Sequence, residues 1–289
     1  MSDKPAIVVV GSVNLDLVAH APRLPVPGET VTNATLARYP GGKGANQALA
    51  AHRLGARVFL CACTGGDATA DEALALLRNE GVDLTRCVTD KSKTTGVALI
   101  AVAPDGENQI VVAPGANRRL TPYHLELSGA DALICQLEVP MATVAAAAAR
   151  FEGLFCINLA PATEVPDEIL QRADLIVMNE TESLFFGSGI NACKNLVAIT
   201  YGERGAVLKK NGEVIAEAAA PRAEVVDTTG AGDTFTAALT LALLEEMAPG
   251  EALEFACAAA TLATTRAGAQ TALPRREELE TYRQQLAAQ

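Results

Sequence analysis

Tryptophan is absent from this chain of 289 residues, and aromatic residues make up only 4% of it. Proteins that bind bases by stacking need aromatic rings, so the composition disfavours that function. Basic residues are scarce as well: 23 Lys and Arg are set against 34 Asp and Glu, and the formal net charge is −11. Such a charge repels nucleic acids and anionic membrane surfaces. Any phosphate group must therefore be held by a local arrangement of donors.

Long hydrophobic runs are lacking too. No stretch approaches the ~20 uninterrupted apolar residues needed to cross a bilayer, and the early run "AIVVV" is too short for a signal peptide. The cysteines include no CxxC pair and have no neighbouring histidine, which disfavours a metal or redox site. We predict a soluble, cytoplasmic protein with reduced and mostly buried thiols, at positions 61, 63, 87, 135, 156, 193 and 257.

What the chain does contain is an alternation of short apolar runs and helical patterns. Continuous apolar strands separated by helices indicate an α/β protein, with a mostly parallel sheet covered by helices on both faces. In such a sheet, ligands bind at the carboxyl ends of the strands. The predicted strands are 6–10, 58–62, 132–135, 154–158, 175–178 and 196–200, and the predicted helices are 43–54, 69–79, 140–151 and 166–173.

Two segments interrupt this alternation. Residues 12–40 are rich in loops and proline, and residues 95–112 are typical of a hairpin around the turn "PDGEN". We predict that both form antiparallel β structure outside the main sheet, as a small lid. A further hairpin is predicted around Asn211-Gly212, a strong turn signal, and the chain from residue 230 onward is predicted to be nearly all helix.

The segment "VVDTTGAGDTFTAAL", residues 225–239, places glycines between two aspartates and then continues as an apolar helix, predicted to begin at Asp233. The first N–H groups of a helix have no internal partner, and its dipole is positive at that end. The glycines would expose these N–H groups to an anion such as a phosphoryl group in transfer. From these residues alone, an ordinary capped helix start is an equally good interpretation.

Two earlier stretches present polar side chains in a similar setting. In "YPGGKGANQALAAHRLG", residues 39–55, glycines open a helix that carries Lys43 and Asn46 one turn apart on one face. Their donors and acceptor suit adjacent sugar hydroxyls. In "GSVNLDLV", residues 11–18, a strand that ends at Gly11 is followed by Asn14 and Asp16. A solvated helix face and an ordinary loop aspartate are the alternatives.

Taken together, "GSVNLD", "GGKGANQA", "QLE", "NETE" and "DTTGAGDTF" resemble, in this order and over nearly the whole chain, the ribokinase-like (PfkB-type) sugar kinases. The resemblance implies one kinase domain over residues 1–289, a three-layer α/β/α sandwich with the lid at about 12–40 and 95–112. It also implies ATP-dependent phosphorylation of the 5-hydroxyl of D-ribose.

The resemblance also implies roles for particular residues. Asp233 is expected to be the general base, beside an anion hole formed by the amides of Gly230, Ala231 and Gly232. The sugar is expected to contact Asn14, Asp16, Gly42, Lys43, Asn46, Glu138 and Asp233. ATP is expected to contact Asn179, Thr200, Gly202, Glu203, Gly205, Gly232 and Cys257.

Two cations and a partner are implied in the same way. Glu182 is expected to hold hydrated Mg²⁺. A monovalent cation, usually K⁺, is expected beside Asp227, Thr229, Ala263, Arg266 and Gly268. An exposed lid sheet further predicts a homodimer.

Some features depart from the family pattern, and some alternatives stay open. The connection over residues 183–199 is short, Ala272 stands where serine is frequent, and Cys257 stands where a polar residue near adenine is usual. Other open interpretations are a kinase for another small sugar or a nucleoside, and a sugar-binding regulator without turnover. A dinucleotide-dependent oxidoreductase is disfavoured, because "GAGDTF" lacks the third glycine of the dinucleotide fingerprint.

Overall fold

The structure, a computed structural model, describes residues 4–191 and 194–288. Its strands are β1 (Ala6–Val10), β2 (Asn14–His20), β3 (Thr35–Gly41), β4 (Arg57–Cys61), β5 (Cys63–Thr64), β6 (Val88–Thr89), β7 (Gly96–Val102), β8 (Asn108–Ala113), β9 (Ala132–Cys135), β10 (Leu154–Asn158), β11 (Leu175–Asn179), β12 (Leu196–Thr200), β13 (Ala206–Lys210) and β14 (Glu213–Ala218).

The described chain also contains α-helices. They are α1 (Lys43–Arg53), α2 (Ala68–Ala73), α3 (Ala75–Glu80), α4 (Met141–Arg150), α5 (Asp167–Arg172), α6 (Glu180–Phe186), α7 (Ser188–Asn191), α8 (Ala231–Leu244), α9 (Pro249–Ala263), α10 (Ala269–Ala272) and α11 (Arg276–Ala287).

The main sheet has eight strands in the order β14-β13-β12-β11-β10-β9-β1-β4. The six strands from β12 to β4 pair in parallel, and the hairpin β13–β14 adds an antiparallel edge. The mostly parallel sheet predicted from the apolar runs is confirmed, and no predicted strand is displaced by more than one residue. The predicted turn at Asn211-Gly212 is also confirmed, because both residues have positive φ, 53° and 80°, as a two-residue type I′ hairpin requires.

Side chains of β1 show why this sheet is buried on both faces. Ile7 and Val9 belong to one apolar cluster with residues of α1, α8 and α9, whereas Val8 and Val10 belong to a second cluster with residues of α4 and α5. All four are fully buried. Each such side chain contributes about 1.5–3 kcal/mol through removal from water. The sheet is therefore held between two helical layers.

The lid is a separate four-stranded sheet, in the order β3-β2-β7-β8. Its strands lie within the two segments expected to form it, apart from the last residues of β3 and β8. The outer pairs β2–β3 and β7–β8 are antiparallel, as predicted, but β2 and β7 pair in parallel. The long connection from β3 to β7, which carries α1 to α3, allows this parallel pairing.

The predicted helix at 69–79 is interrupted once. α2 and α3 are separated by Leu74, which keeps right-handed backbone angles and buries its side chain. The hydrogen bond from its amide to the Ala70 carbonyl, at 3.0 Å, continues the helical pattern. The segment is thus one helix with an irregular residue where a side chain enters the core.

The cysteines of the described residues are free, and all but Cys87 are buried. Burial raises the pKa of the Cys87 and Cys156 thiols to about 12. Cys193 lies outside the described residues. None of the helices in the described ranges is long and apolar enough to cross a membrane.

Candidate active site

A cavity of about 240 Å³ opens at the carboxyl ends of β10, β11 and β12, between the first turns of α1 and α8. Ligands of parallel sheets bind at this edge. Helix N-termini at a cavity offer it unpaired N–H groups and the positive ends of their dipoles. The lining residues are Lys43, Asn158, Ala160, Val177, Met178, Asn179, Glu182, Thr200, Thr228, Gly230, Gly232 and Asp233.

Glycines at the start of α1 let this helix approach the turn between β1 and β2. Gly42 has φ of +89°, and a Cβ there would lie 2.6 Å from the amide nitrogen of Asn14. A Cβ on Gly44 would lie 2.5 Å from the carbonyl carbon of Gly11. Only glycine fits such approaches. The glycines therefore determine where the first turn of α1, including Asn46, enters the site.

Asp233 lies in the first turn of α8 and is only 7% exposed. The side-chain amide of Asn46 donates to its Oδ2 at 2.9 Å, and that of Gln47 donates to its Oδ1 at 2.9 Å. The helix begins at Ala231 and not at Asp233 as predicted, because Gly230, with φ of +80°, serves as its N-cap. Asp233 therefore forms part of the cavity wall with a donor on each carboxylate oxygen.

Asp16 of β2 is a further buried carboxylate near Asp233, at 8% exposure, although it does not line the cavity. No group in the described part of the chain donates a hydrogen bond to it, and Gly41 packs directly against it. Burial, reinforced by Glu138 and Asp233 and opposed by Lys43, raises the pKa of Asp16 from 3.8 to about 7. A buried carboxylate without donors is costly unless a ligand supplies them.

Lys43 is the cation that faces these acids. Burial by itself lowers the pKa of its ammonium group, but the surrounding carboxylates, led by Asp233 and followed by Glu138, Glu182 and Asp16, outweigh burial and raise it. Lys43 thus stays charged at neutral pH.

The other expected sugar contacts lie nearby. Glu138 accepts hydrogen bonds from the Ser12 hydroxyl and, at 3.4 Å, from the Lys43 amide. Asn14 is buried, and its Oδ1 accepts from Asn117 of the segment that follows β8, at 2.7 Å. The structure therefore brings together the start of α1, the start of β2 and the end of β9.

The glycine-rich turn before α8 presents fewer free amides than expected. The Ala231 amide donates to the Thr228 carbonyl at 3.2 Å, and Ala231 does not line the cavity. Gly230 and Gly232 do line it. A Cβ on Gly232 would meet nothing within 4 Å. Packing therefore does not require glycine there, and its effect is to leave the helix N-terminus open.

Asp227 ties this turn to the loop before α10. Its Oδ1 accepts from the amide and hydroxyl of Thr229 at 2.9 and 2.7 Å, and its Oδ2 accepts from the Gly268 amide at 2.8 Å. Burial by itself would raise the pKa of Asp227, but these donors lower it. The end of α9 also contacts Asp227, because the Thr264 carbonyl accepts a hydrogen bond from the Asp227 amide at 3.1 Å.

The residues expected to hold a monovalent cation partly meet at this junction, but the recorded contacts on both oxygens of Asp227 are N–H and O–H donors, and the carbonyl in contact with Asp227 is that of Thr264. Asp227, Thr229 and Gly268 come together there, and Ala263 is the last residue of α9. The Arg266 side chain pairs with Glu278 at 2.9 Å, so only its backbone carbonyl is left to take part.

The part of the cavity that is lined by Asn179 and Glu182 suits a metal–nucleotide group. Glu182 uses Oε2 to accept the Asn179 amide at 2.8 Å, within the capping box of α6. Burial raises the pKa of Glu182, and Lys43 opposes this shift. Among the described residues there is no cluster of three or more His, Cys, Asp or Glu that could hold a metal. One carboxylate suffices for Mg²⁺ when phosphates and water supply its other ligands.

Of the expected ATP contacts, Asn179, Thr200 and Gly232 line the cavity. Gly202, Glu203 and Gly205 belong to the short helical turn that follows β12. Cys257 lies elsewhere. Its side chain is 4% exposed on α9, and its thiol is 3.9 Å from the Ala218 carbonyl, so the structure does not bring it to the cavity.

Residues 4–276 match the model of the pfkB family carbohydrate kinases. The chain belongs to this family. It is thus a pfkB-type carbohydrate kinase, a phosphotransferase, and the resemblance found in the sequence is confirmed.

Similar proteins of this pfkB family include ribokinases. The chain is 37% identical to the ribokinase of Haemophilus influenzae, with 94% of the chain and 96% of the relative covered. It is 35% identical to the ribokinase of Bacillus subtilis, with 95% and 98% covered. A solved structure of Arabidopsis thaliana ribokinase complexed with ribose and ATP has a TM-score of 0.86 and 32% identity, with 96% of this chain and 98% of that one covered.

Sequence reasoning missed three polar residues of this pfkB site. Gln47 and Gln136 are fully buried and Asn158 is 7% exposed. Asn158 is the last residue of a predicted strand, and a polar residue at the carboxyl end of an apolar run could have identified it as a candidate site residue. Gln47 follows Asn46 within a predicted helix, and the neighbouring sequence does not distinguish it from a glutamine exposed to solvent.

Proposed function

We propose that this chain is an ATP-dependent ribokinase that converts D-ribose and ATP into ribose 5-phosphate and ADP. The observation that carries the proposal is the proximity of two buried carboxylates: Asp233 in the cavity wall, with a donor on each oxygen, and Asp16, which lies close enough to Asp233 for their charges to interact and receives no hydrogen bond from the described residues. The first is placed to take a proton, and the second needs hydroxyl donors from a ligand. The names of the similar proteins support ribose as the sugar.

The transfer itself needs one proton acceptor and one site for negative charge. Asp233 takes the proton of the 5-hydroxyl while that oxygen bonds to the γ-phosphorus, and the bond from the γ-phosphorus to the bridging oxygen of ADP breaks. The amides of Gly230 and Gly232, with the positive end of α8, stabilise the charge on the moving phosphoryl group. Ala231 contributes less than expected, because its amide is already paired.

Sugar recognition rests on polar groups that are too buried to remain unpaired. Asp16 accepts from sugar hydroxyls, and Lys43, Asn46, Asn14 and Glu138 complete the set, with Gly42 allowing close approach. A sugar that lacks the matching hydroxyls would leave the Asp16 carboxylate without a donor. Hydrogen bonds to the ionised form of Asp16 would also lower its raised pKa, so sugar binding favours the charged carboxylate.

Two cations complete the proposal. Glu182 and Asn179 would hold hydrated Mg²⁺ and ATP at the ends of β11 and α6, and Mg²⁺ supplies positive charge to the phosphates. The carbonyls around Asp227 and Gly268 would hold K⁺, which would brace the glycine-rich turn. Thr200 and the turn over 202–205 would lie along the nucleotide.

We further propose that residues 1–289 act as one kinase domain with a mobile lid, and that the lids of two copies pair in a cytoplasmic homodimer. On one face of edge strand β8, Ile110 and Val112 are exposed at 54% and 47%. On the other face, Val111 of β8 and its neighbour Leu99 of β7 are exposed at 65% and 50%. A two-fold interface can bury one such surface against its copy.

An ADP-release assay tests the function. It compares ribose with deoxyribose, fructose, ketodeoxygluconate and pseudouridine, with Mg²⁺ and with or without K⁺. We expect the highest kcat/KM with ribose and a gain with K⁺. Ribose binding without ADP release would indicate a sugar-binding regulator, and a preference for pseudouridine would indicate a nucleoside kinase.

A further inference from the structure

A chain of buried amides formed by Gln47, Gln136 and Asn158 contacts Asp233, and Asn158 is the member that lines the cavity. Gln47 donates through Nε2 to Oδ1 of Asp233 at 2.9 Å and to Oδ1 of Asn158 at 3.3 Å. Its Oε1 accepts from Nε2 of Gln136 at 2.6 Å. Gln47 and Gln136 are fully buried, and neither lines the cavity.

The direction of these hydrogen bonds follows from chemistry. An ionised carboxylate only accepts, so the NH₂ group of Gln47 must face Asp233 and its carbonyl must face away. That carbonyl then requires a donor, which is the NH₂ group of Gln136. The orientation of both amides is thus determined by Asp233.

The backbone holds the far end of this chain in place. Gln136 follows β9 directly, and its Oε1 packs so closely on Gly11 that a Cβ at that position would collide with it. Asn158, at the end of β10, donates to the Val177 carbonyl at 3.2 Å. Gln47 is therefore fixed by three neighbouring strands of the parallel sheet.

We propose that Gln47 is a positioning residue for Asp233, a role that rests on the phosphoryl transfer proposed above. Asn46 donates to Oδ2 and Gln47 donates to Oδ1, so the two amides together fix the plane of the carboxylate. A fixed plane aims a free lone pair at the acceptor hydroxyl. Lys43, Asp16 and Glu182 also act on Asp233, but through charge, which does not set the orientation of that plane.

Two variants of Gln47 test this role. Gln47→Met keeps the shape and removes the donor, and Gln47→Glu replaces the donor with a second carboxylate. We expect kcat to fall ~10- to 100-fold for Gln47→Met, the scale of a small misplacement of a catalytic group, and further for Gln47→Glu. We expect KM for ribose and for ATP to stay within about threefold, because Gln47 does not line the cavity.

Two further variants separate positioning from folding. Gln136→Met removes only the donor that orients Gln47, so we expect a smaller loss of kcat. Thr143→Val removes a buried hydroxyl that donates to the Leu120 carbonyl at 2.6 Å, far from the cavity. It should lower the melting temperature and leave kcat unchanged.

The outcomes are distinct. A folded Gln47→Met variant with wild-type kcat, or one whose KM rises while kcat stays, would overturn the positioning role. A loss of kcat that merely follows melting temperature across all four variants, Thr143→Val included, would do the same. A wild-type protein inactive with ribose but active with another sugar would instead overturn the proposed substrate, and the variants would then be compared with that sugar.

Discussion

The side-chain amide of Asn46 lies 2.9 Å from Oδ2 of Asp233, although 187 positions separate the two residues in the sequence. This hydrogen bond joins the first turn of α1 to the first turn of α8. Asn46 belongs to the residues expected to contact the sugar, and Asp233 to those expected to act on it. The donor of this hydrogen bond is therefore proposed to bind the sugar, and its acceptor is proposed to take part in phosphoryl transfer.

Asp233→Asn is expected to lower kcat by ~10²–10⁴, the range for loss of a general base. The change keeps the size of the side chain and removes its ability to take a proton. ATP affinity should change little, which equilibrium binding can check alongside steady-state rates. Unaltered turnover in this variant would remove Asp233 from the mechanism.

Asp16→Ala is expected to act mainly on the sugar. None of the described residues donates a hydrogen bond to its carboxylate, so sugar hydroxyls would supply them, each of which contributes about 1.5–3 kcal/mol when the acceptor is charged. KM for ribose should rise by about 10- to 150-fold, with a smaller change in kcat. A KM that stays constant would contradict the assigned contact.

Asp16→Asn should stabilise the protein in the absence of sugar, in a way that depends on pH. The pKa of Asp16 is raised from 3.8 to about 7 by burial, so folding opposes its ionisation. The contribution of Asp16 to stability is complete below pH ~4 and is lost as the pH rises to ~7, by about 1.4 kcal/mol per pH unit. The gain in melting temperature should therefore grow between these pH values and level off above them. A gain that does not vary with pH would argue against the raised pKa.

Gly232→Ala is expected to lower kcat without harming the fold. A Cβ there meets no protein atom within 4 Å but stands at the cavity wall, where the phosphoryl group is proposed to pass. Gly250→Ala is the matched control, because Gly250 is likewise the second residue of its helix and has open space around it. Both changes should raise stability slightly, by about 0.4–1 kcal/mol. Equal kcat in the two variants would place the phosphoryl group elsewhere.

Ile110→Lys combined with Val112→Lys tests the proposed lid dimer. The two side chains are two residues apart on β8, so they lie on the same face of the strand, and about half of each is exposed. Two buried lysines facing their copies would oppose association. Light scattering after size exclusion should show a dimer for the wild type and a monomer for the variant. A monomeric wild type would refute the dimer.

The sequence by itself determined much of the local structure. The apolar runs at 6–10, 132–135, 154–158 and 196–200 became strands with the predicted bounds, because continuous apolar residues between helices have few other stable arrangements. The glycine motifs at 41–44 and 230–232 also revealed the family, since their spacing follows from turns and close approaches that few other residues allow.

Only the tertiary structure decided which distant groups meet. The parallel pairing of β2 with β7, the contact of Gln47 with Asp233 and the raised pKa of Asp16 all depend on segments far apart in the chain. A hydrogen bond or a desolvated charge is a property of the surroundings, and short-range sequence patterns do not contain those surroundings. Most of the candidate site residues could therefore be identified from the sequence, but Gln47 and the contacts among the site residues required the fold.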